Sequence, residues 1–409
     1  MLARIRPLYT QPSFRRLYVL NLLLGVSTSF VVPFMSMFGT LEARMDLFHF
    51  GAFMTINAAV GIAIATTLAH YSDVHFSRRT MLLLGSVSGA LGYVGYAYLR
   101  SFVPLVLVGS LVLGFSSITF SQLFAYAREL LAQSEVDPVE SAFYINVFRM
   151  FIALAWTVGP AVASWIIVRL SYRGLFLCSS AALLVFAGVV WFGVPGDLPR
   201  SRTGAGFASH SILKLLVRLD LLAHLAAFVL ITAASTIGMM NLPLFILKTL
   251  GGTESNVGRA YSIAPVFELP FMLYFGWLAT RHMPARIIRI GMMISMAYYA
   301  LLVIVTAPWH VYLCQALLAA ATSIVSGVAI TYFQGHLPRH PATATNLYAN
   351  AQRIGSTAGY FVFAALAWRF GYRAVFEACA AFAAVALTLM LVPVHYPGGE
   401  ESLVGSAVA

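Results

Sequence analysis

Apolar runs of about 20 residues recur from one end of this chain to the other, and a run of that length crosses roughly 30 Å of hydrocarbon as one helix. A bilayer interior holds no water to satisfy backbone N–H and C=O groups. A spanning segment is therefore either a helix or a strand of a closed barrel. Barrel strands alternate apolar and polar residues, whereas these runs are apolar on every face. The chain reads as an all-α membrane protein with twelve transmembrane helices. The first six spans fall at about Tyr18–Phe38, Phe50–Tyr71, Thr80–Tyr98, Pro104–Tyr126, Ala142–Val168 and Gly174–Trp191. The second six fall at about Leu221–Leu244, Tyr261–Thr280, Ile287–Val305, Val311–Phe333, Tyr348–Trp368 and Ala374–Leu391. An even number of crossings puts both termini on one side. Only 10% of the residues are charged, against about 25% in soluble proteins.

The two sets of six spans are copies. Tyr144, Asn146 and Arg149 recur as Tyr348, Asn350 and Arg353, and Tyr172-Arg173 with Phe176 recurs as Tyr372-Arg373 with Phe376. Ile118-Thr119-Phe120-Ser121-Gln122 recurs as Ile330-Thr331-Tyr332-Phe333-Gln334, and Pro33 as Pro243. The order is kept and the offset stays near 200 residues, so the chain is a head-to-tail duplication. Such repeats predict two six-helix bundles related by an axis along the membrane normal, with a pathway between them. Because the first run carries the repeated Pro33, it is expected to stay as a span rather than be cleaved as a signal peptide. The domains expected are an N-terminal bundle over 1–192, a linker over 193–217, a C-terminal bundle over 218–395 and a disordered tail over 396–409. Within the linker, His210 to Arg218 has the pattern of a short amphipathic helix lying on the membrane.

The net charge of +11 raises the question of nucleic acid, and its distribution argues against one. In this topology most basic residues fall beside the termini, among them Arg15, Arg16, Arg78, Arg79, Arg128, Lys214 and Arg289. Fewer, among them Arg44, Arg100, Arg173, Lys248 and Arg373, fall on the opposite side. That bias places the termini in the cytoplasm. The three cysteines all sit within spans, and the ten histidines are scattered with no ligand spacing, so neither a disulfide framework nor a metal or other cofactor is expected.

Polar residues inside the spans need a reason, since a charge at the bilayer centre costs roughly 2.5–3.5 kcal/mol even on insertion scales. Arg149 and Arg353 each follow an Asn by three residues on the same helical face, Asn146 and Asn350. They are candidates to line a central cavity as donors, or else to tie their helices to neighbouring carbonyls. Glu268 is the one carboxylate deep in a span, flanked by Pro265 and Pro270. A carboxyl group moved between water and protein can carry a proton; the alternatives are an ion pair with an arginine, or an acid that simply stays protonated and hydrogen-bonded. Asn57, Asn241, Gln122 and Gln334 are amides that donate and accept, as sugar hydroxyls require, although amides also hold membrane helices together.

These residues carry a resemblance. The loop Ala69-His70-Tyr71-Ser72-Asp73 leading to Arg78-Arg79, and its weaker copy at Gly276 to Arg281, resemble the loop motif of the major facilitator superfamily. Ala155 to Ala163, containing Gly159-Pro160, resembles that superfamily's antiporter motif. Thr55-Ile56-Asn57-Ala58, Gln122 to Glu129, Phe148-Arg149, Glu268-Leu269-Pro270, Phe333-Gln334 and Ala344 to Leu347 are similar to the bacterial sugar efflux transporter (SET) family. The resemblance covers essentially the full length. It implies a monomeric transporter of the bacterial inner membrane that exports sugars or sugar analogues in exchange for protons and is not an enzyme. It further implies a cytoplasmic latch in which Asp73 faces the start of the eleventh helix while Arg78 or Arg79 meets Glu129. Gly159-Pro160 would permit close packing and a bend. A multidrug–proton antiporter of the same fold is the nearest rival, though the amides and arginines favour a more polar cargo. A membrane-embedded transferase is a remote one, since it would want clustered His, Asp or Cys.

Overall fold

A computed structural model of the protein describes residues 12–133, 138–195, 219–279, 281–337 and 341–393. The expected amphipathic stretch at His210 to Arg218 and the tail over 396–409 lie outside them. Every regular element among the described residues is helical. Among the described residues, ten helical stretches are long and apolar enough to cross a membrane. Two of them, Pro138–Gly193 and Pro341–Leu389, are interrupted by a residue with non-helical backbone, Ser171 (φ 59°, ψ −177°) and Gly371 (φ 79°, ψ 169°). Dividing those two gives twelve crossings.

The helices are α1 (Pro12–Val31, continuing irregularly to Glu42), α2 (Leu47–His75), α3 (Arg78–Tyr98), α4 (Phe102–Gln133), α5 (138–170) and α6 (172–193). The second half has α7 (Leu219–Leu244, continuing to Thr249), α8 (Glu254–Ala279), α9 (Pro284–Ile304), α10 (Pro308–His336), α11 (341–370) and α12 (372–389). Several run past the apolar spans read from sequence, as α2 does to His75 and α4 to Gln133. Hydropathy marks where hydrocarbon ends, not where backbone hydrogen bonding ends, so a helix can project into water.

Local chemistry sets the ends. Asp46 caps α2, its Oδ1 accepting from the His49 backbone N–H at 2.8 Å, and Ser77 Oγ caps α3 by accepting from Thr80 N–H at 3.1 Å. Pro284 and Pro308 open α9 and α10, where a missing N–H costs nothing. The duplication reappears as geometry. After Pro33 and Pro243 the backbone widens into π turns at Phe38–Glu42 and Phe245–Thr249. The two left-handed breaks stand directly before Tyr172 and Tyr372. Behind each, an arginine reaches the end of the third helix of its own half: Arg173 donates to Tyr98 Oη at 3.0 Å and Arg373 to the Val305 carbonyl at 3.1 Å.

Packing differs at the two ends of the molecule. Arg16 near the start of α1 donates to the Gly193 carbonyl at the end of α6, and the His224 ring near the start of α7 meets the Val392 carbonyl just beyond α12. Chain entry and exit of each half thus share one face, the terminus side. There the apolar core is in two separate pieces. One holds Phe14, Leu17, Tyr126 and Phe148 of the first half; the other holds Phe228, Ile288, Phe333 and Tyr348 of the second. On the far side a single core joins the halves, with Phe34, Phe38, Phe50 and Phe53 sharing it with Met240, Phe245, Phe363 and Phe376. Phe50 meets Phe363 edge-on at 6.2 Å, and Ala161 N–H donates to Ser262 Oγ at 3.1 Å between α5 and α8. The halves are therefore pressed together on the far side while their cores part on the terminus side.

Candidate functional site

Between the parted halves lies a cavity of about 810 Å³. Its walls come from α1, α2, α3 and α4 of the first half and from α7 and α11 of the second. From the sequence, the walls are expected to be the first, second, fourth and fifth spans facing the seventh, eighth, tenth and eleventh. The third helix joins because its Tyr93 and Tyr96 are long enough to reach the cavity beside the small residues Gly109 and Gly114 of α4. Trp156 and Ile152 of α5 line an adjoining pocket of about 310 Å³, which shares Tyr93, Ser117 and Phe120 with the main cavity.

One polar corner is built by Asn57 of α2. Its Nδ2 donates to Tyr96 Oη at 3.2 Å, and its Oδ1 is buried with no hydrogen-bond partner among the described residues. Gly109 makes this corner possible, since a Cβ there would collide with both the Asn57 amide and the Tyr96 hydroxyl. Opposite stands α11, presenting Gln352, Arg353, Ser356, Thr357 and Tyr360. Gln352 Nε2 donates to Tyr348 Oη at 2.8 Å, which fixes the amide while its carbonyl oxygen keeps its capacity to accept. Arg353 is exposed to the cavity. Its helix is held close to α7 because Gly355 and Gly359 lie against the α7 backbone at Val229 and Ala233. Chemically, the cavity offers amide, hydroxyl and guanidinium groups beside tyrosine and phenylalanine faces, a set suited to a hydroxyl-rich solute.

The other residues singled out by sequence are placed as follows. Glu268 is half-buried on α8 and lines none of these cavities. Its backbone carbonyl accepts from Ser323 Oγ of α10 at 3.1 Å, and no cation among the described residues pairs with its side chain. Asn241 is fully buried, donating from Nδ2 to the Tyr372 carbonyl at 2.7 Å, so it joins α7 to α12 away from the cavity. Gln334 bridges α10 to α11 through Thr345 Oγ1 at 3.0 Å, and Asn350 is exposed without lining the cavity. The side chains of Asp73, Asn146 and Arg149 lie outside those described.

Gln122 belongs to a buried cluster at the terminus side. Arg78 donates from Nη1 to Gln122 Oε1 at 2.7 Å and from Nε to Glu129 Oε1 at 3.0 Å. Of the two arginines expected near Glu129, it is Arg78 that reaches it. Arg79 turns the other way, donating to the Trp191 carbonyl at 2.6 Å with its guanidinium over the indole ring. Arg78, Gln122 and Glu129 are all in the first half, so this cluster holds α3 to α4 rather than one half to the other. Gly159 and Pro160 sit where α5 touches two neighbours. A Cβ on Gly159 would strike Ser29 of α1, and the Pro160 carbonyl lies only 2.6 Å from where a Cβ on Gly258 of α8 would stand.

Sequence reasoning missed Gln352, Thr232 and Thr357 as wall residues, and Tyr93 and Tyr96 with them. Gln352 had one available signal, its place beside Arg353. The tyrosines had none, because their reach depends on the glycines of a different helix.

Comparison with known proteins adds a family. The sequence profile of the Major Facilitator Superfamily matches residues 223–406. A protein of Deinococcus radiodurans provisionally named a sugar efflux transporter is 32% identical over 374 residues, covering 90% of this chain and 95% of its own. Sugar efflux transporter A of Dickeya chrysanthemi is 29% identical, with 86% and 88% covered. Among solved structures, the nucleoside transporter NupG superposes with a TM-score of 0.79 at 14% identity, covering 92% of this chain and 98% of its own. A bacterial homologue of the human lysosomal transporter Spinster, in an inward-facing and unoccupied conformation, gives 0.76 at 12% identity, with 93% and 96% covered. At such identities these two structures speak for the fold alone.

Proposed function

The chain belongs to the sugar efflux transporter family of the major facilitator superfamily, and from that premise we propose that it exports sugars or sugar analogues by alternating access, driven by protons moving the other way. The observation that carries this reading is the cavity between the two halves, polar at Asn57, Gln352 and Arg353 and sealed on the far side by one shared apolar core. A cavity open toward one face and closed toward the other is one end state of a rocking cycle. The bias of basic residues toward the terminus side supports a cytoplasmic position for that face. Cargo then enters from the cytoplasm and leaves when the far-side core separates. The reading includes residence in the inner membrane and action as a monomer.

Glu268 is the group proposed to carry the proton. It has no cation partner among the described residues, so protonation breaks no ion pair. Its helix packs against α5 of the opposite half, so reorientation of the halves changes its surroundings. Glu268→Gln keeps size and hydrogen bonding and removes the titratable site. In proteoliposomes, sugar movement driven by a pH gradient is lost in this variant while exchange of labelled for unlabelled sugar continues. Gradient-driven movement that persists in the variant removes Glu268 from the role. Loss of both modes makes it a structural or sugar-binding group instead.

A further inference from the structure

Arg353 is the feature that the sugar-export reading leaves over. A guanidinium keeps its charge at any accessible pH, and a charge held within a membrane protein's spans needs a partner. Among the described residues Arg353 has no hydrogen bond and no ion pair. No aspartate or glutamate stands among the residues lining the main cavity or the two pockets beside it. The described wall thus carries one uncompensated positive charge. Low-dielectric walls concentrate the field of such a charge, which draws in anions and turns cations away.

We propose that the preferred cargo is an anionic sugar bearing a carboxylate, a sugar acid, with its carboxylate paired to Arg353. The inference rests on the sugar-export reading and narrows it. The guanidinium fork matches a carboxylate in charge and in two-point geometry. A phosphate ester carries about −1.5 to −2 at neutral pH and would leave charge unmatched by the described wall. Groups for the hydroxyls are in place around the arginine. Asn57 Oδ1 and Thr357 Oγ1 are buried polar atoms without a partner among the described residues, and the Gln352 amide is held in position by Tyr348. An acceptor in such a place favours a ligand that donates to it, as a sugar hydroxyl does.

The experiment is counterflow in proteoliposomes containing the full chain, with labelled glucuronate, glucose, the uncharged methyl ester of glucuronate, and glucose 6-phosphate. The expected result is glucuronate exchange about tenfold or more above glucose and the ester, the fold-change that one charge-assisted hydrogen bond supplies. In Arg353→Gln the ratio of glucuronate to glucose exchange falls by a similar factor. In Arg353→Lys, which keeps the charge and loses the fork, it falls less. Glucose or the ester exchanging as well as glucuronate overturns this inference alone, as does a preference for glucose 6-phosphate. Absence of exchange for all four overturns the sugar-export reading and this inference with it.

Discussion

A methyl group on Gly109 would occupy the space now filled by the Asn57 amide and the Tyr96 hydroxyl. Gly109→Ala is therefore expected to break that corner of the cavity without disturbing the helix, since Ala is the better helix former. Transport should fall by about tenfold, equivalent to losing one hydrogen bond to the cargo, while the thermal midpoint in detergent stays within a few degrees of the parent. Parent-like sugar exchange in the variant would remove this corner from the binding site. Asp46 gives a pH-dependent effect outside the membrane. The His49 backbone N–H, and then the His49 side chain, hold its carboxyl below its ordinary value near 3.8. A carboxyl lowered by folding stabilises the fold above its ordinary value, and that contribution is lost as pH falls through the lowered one. Asp46→Ala should weaken the α2 cap by about 1 kcal/mol at neutral pH and by much less in strong acid. The check is thermal unfolding at several pH values.

At the scale of elements, the two breaks between α5 and α6 and between α11 and α12 adopt the same left-handed backbone, but one uses serine and the other glycine. With φ positive and ψ extended, a residue with a Cβ is strained there by about 1–3 kcal/mol. Gly371→Ala is expected to destabilise the second half by that amount, and Ser171→Gly to relieve part of it in the first, both read from thermal unfolding in detergent. Equal effects of opposite sign would mark the two turns as energetically equivalent copies. The terminus end of the second half is tied by a different device. His224 faces the Val392 carbonyl through Nε2 at 3.1 Å and Tyr332 Oη through Nδ1 at 2.6 Å. A carbonyl only accepts, so in the neutral ring Nε2 carries the hydrogen and Tyr332 donates to Nδ1. Three helices are joined by one ring.

For the molecule as a whole, alternation requires the far-side core to open. A Cβ on Gly51 of α2 would press on the Cβ of Ala364 of α11, directly across the divide between the halves. Cysteines at Gly51→Cys and Ala364→Cys are thus close enough to bridge after a small adjustment. Oxidation is expected to abolish sugar export while leaving sugar bound from the terminus side, and reduction to restore export. Export that continues through the cross-link would mean that this contact does not open during transport. The cluster of Arg78, Gln122 and Glu129 makes a contrasting case, because it lies within one half. Arg78→Ala leaves the Glu129 carboxylate buried without this partner and should lower stability by about 3–5 kcal/mol, the usual cost of removing one partner of a buried pair.

Hydropathy and repetition were enough to establish the twelve crossings and the division into similar halves, because each of these depends on residues close in sequence or on matched positions. The same holds for the breaks, which stand directly before the repeated Tyr172 and Tyr372. Facing was different. Asn57, Asn241, Gln122 and Gln334 gave the same signal, an amide within an apolar run, yet Asn57 borders the cavity, Gln122 lies under Arg78, and Asn241 and Gln334 bind neighbouring helices. An amide in a span must find a hydrogen-bond partner, and the chain alone does not say whether that partner is a carbonyl, another side chain or a cargo. Rotation of each helix about its axis decides it, and that rotation is set by contacts such as Gly355 against Val229 and Gly109 beneath Asn57. These join residues tens to more than a hundred positions apart, so only the folded packing of the two halves determines which polar groups face the pathway.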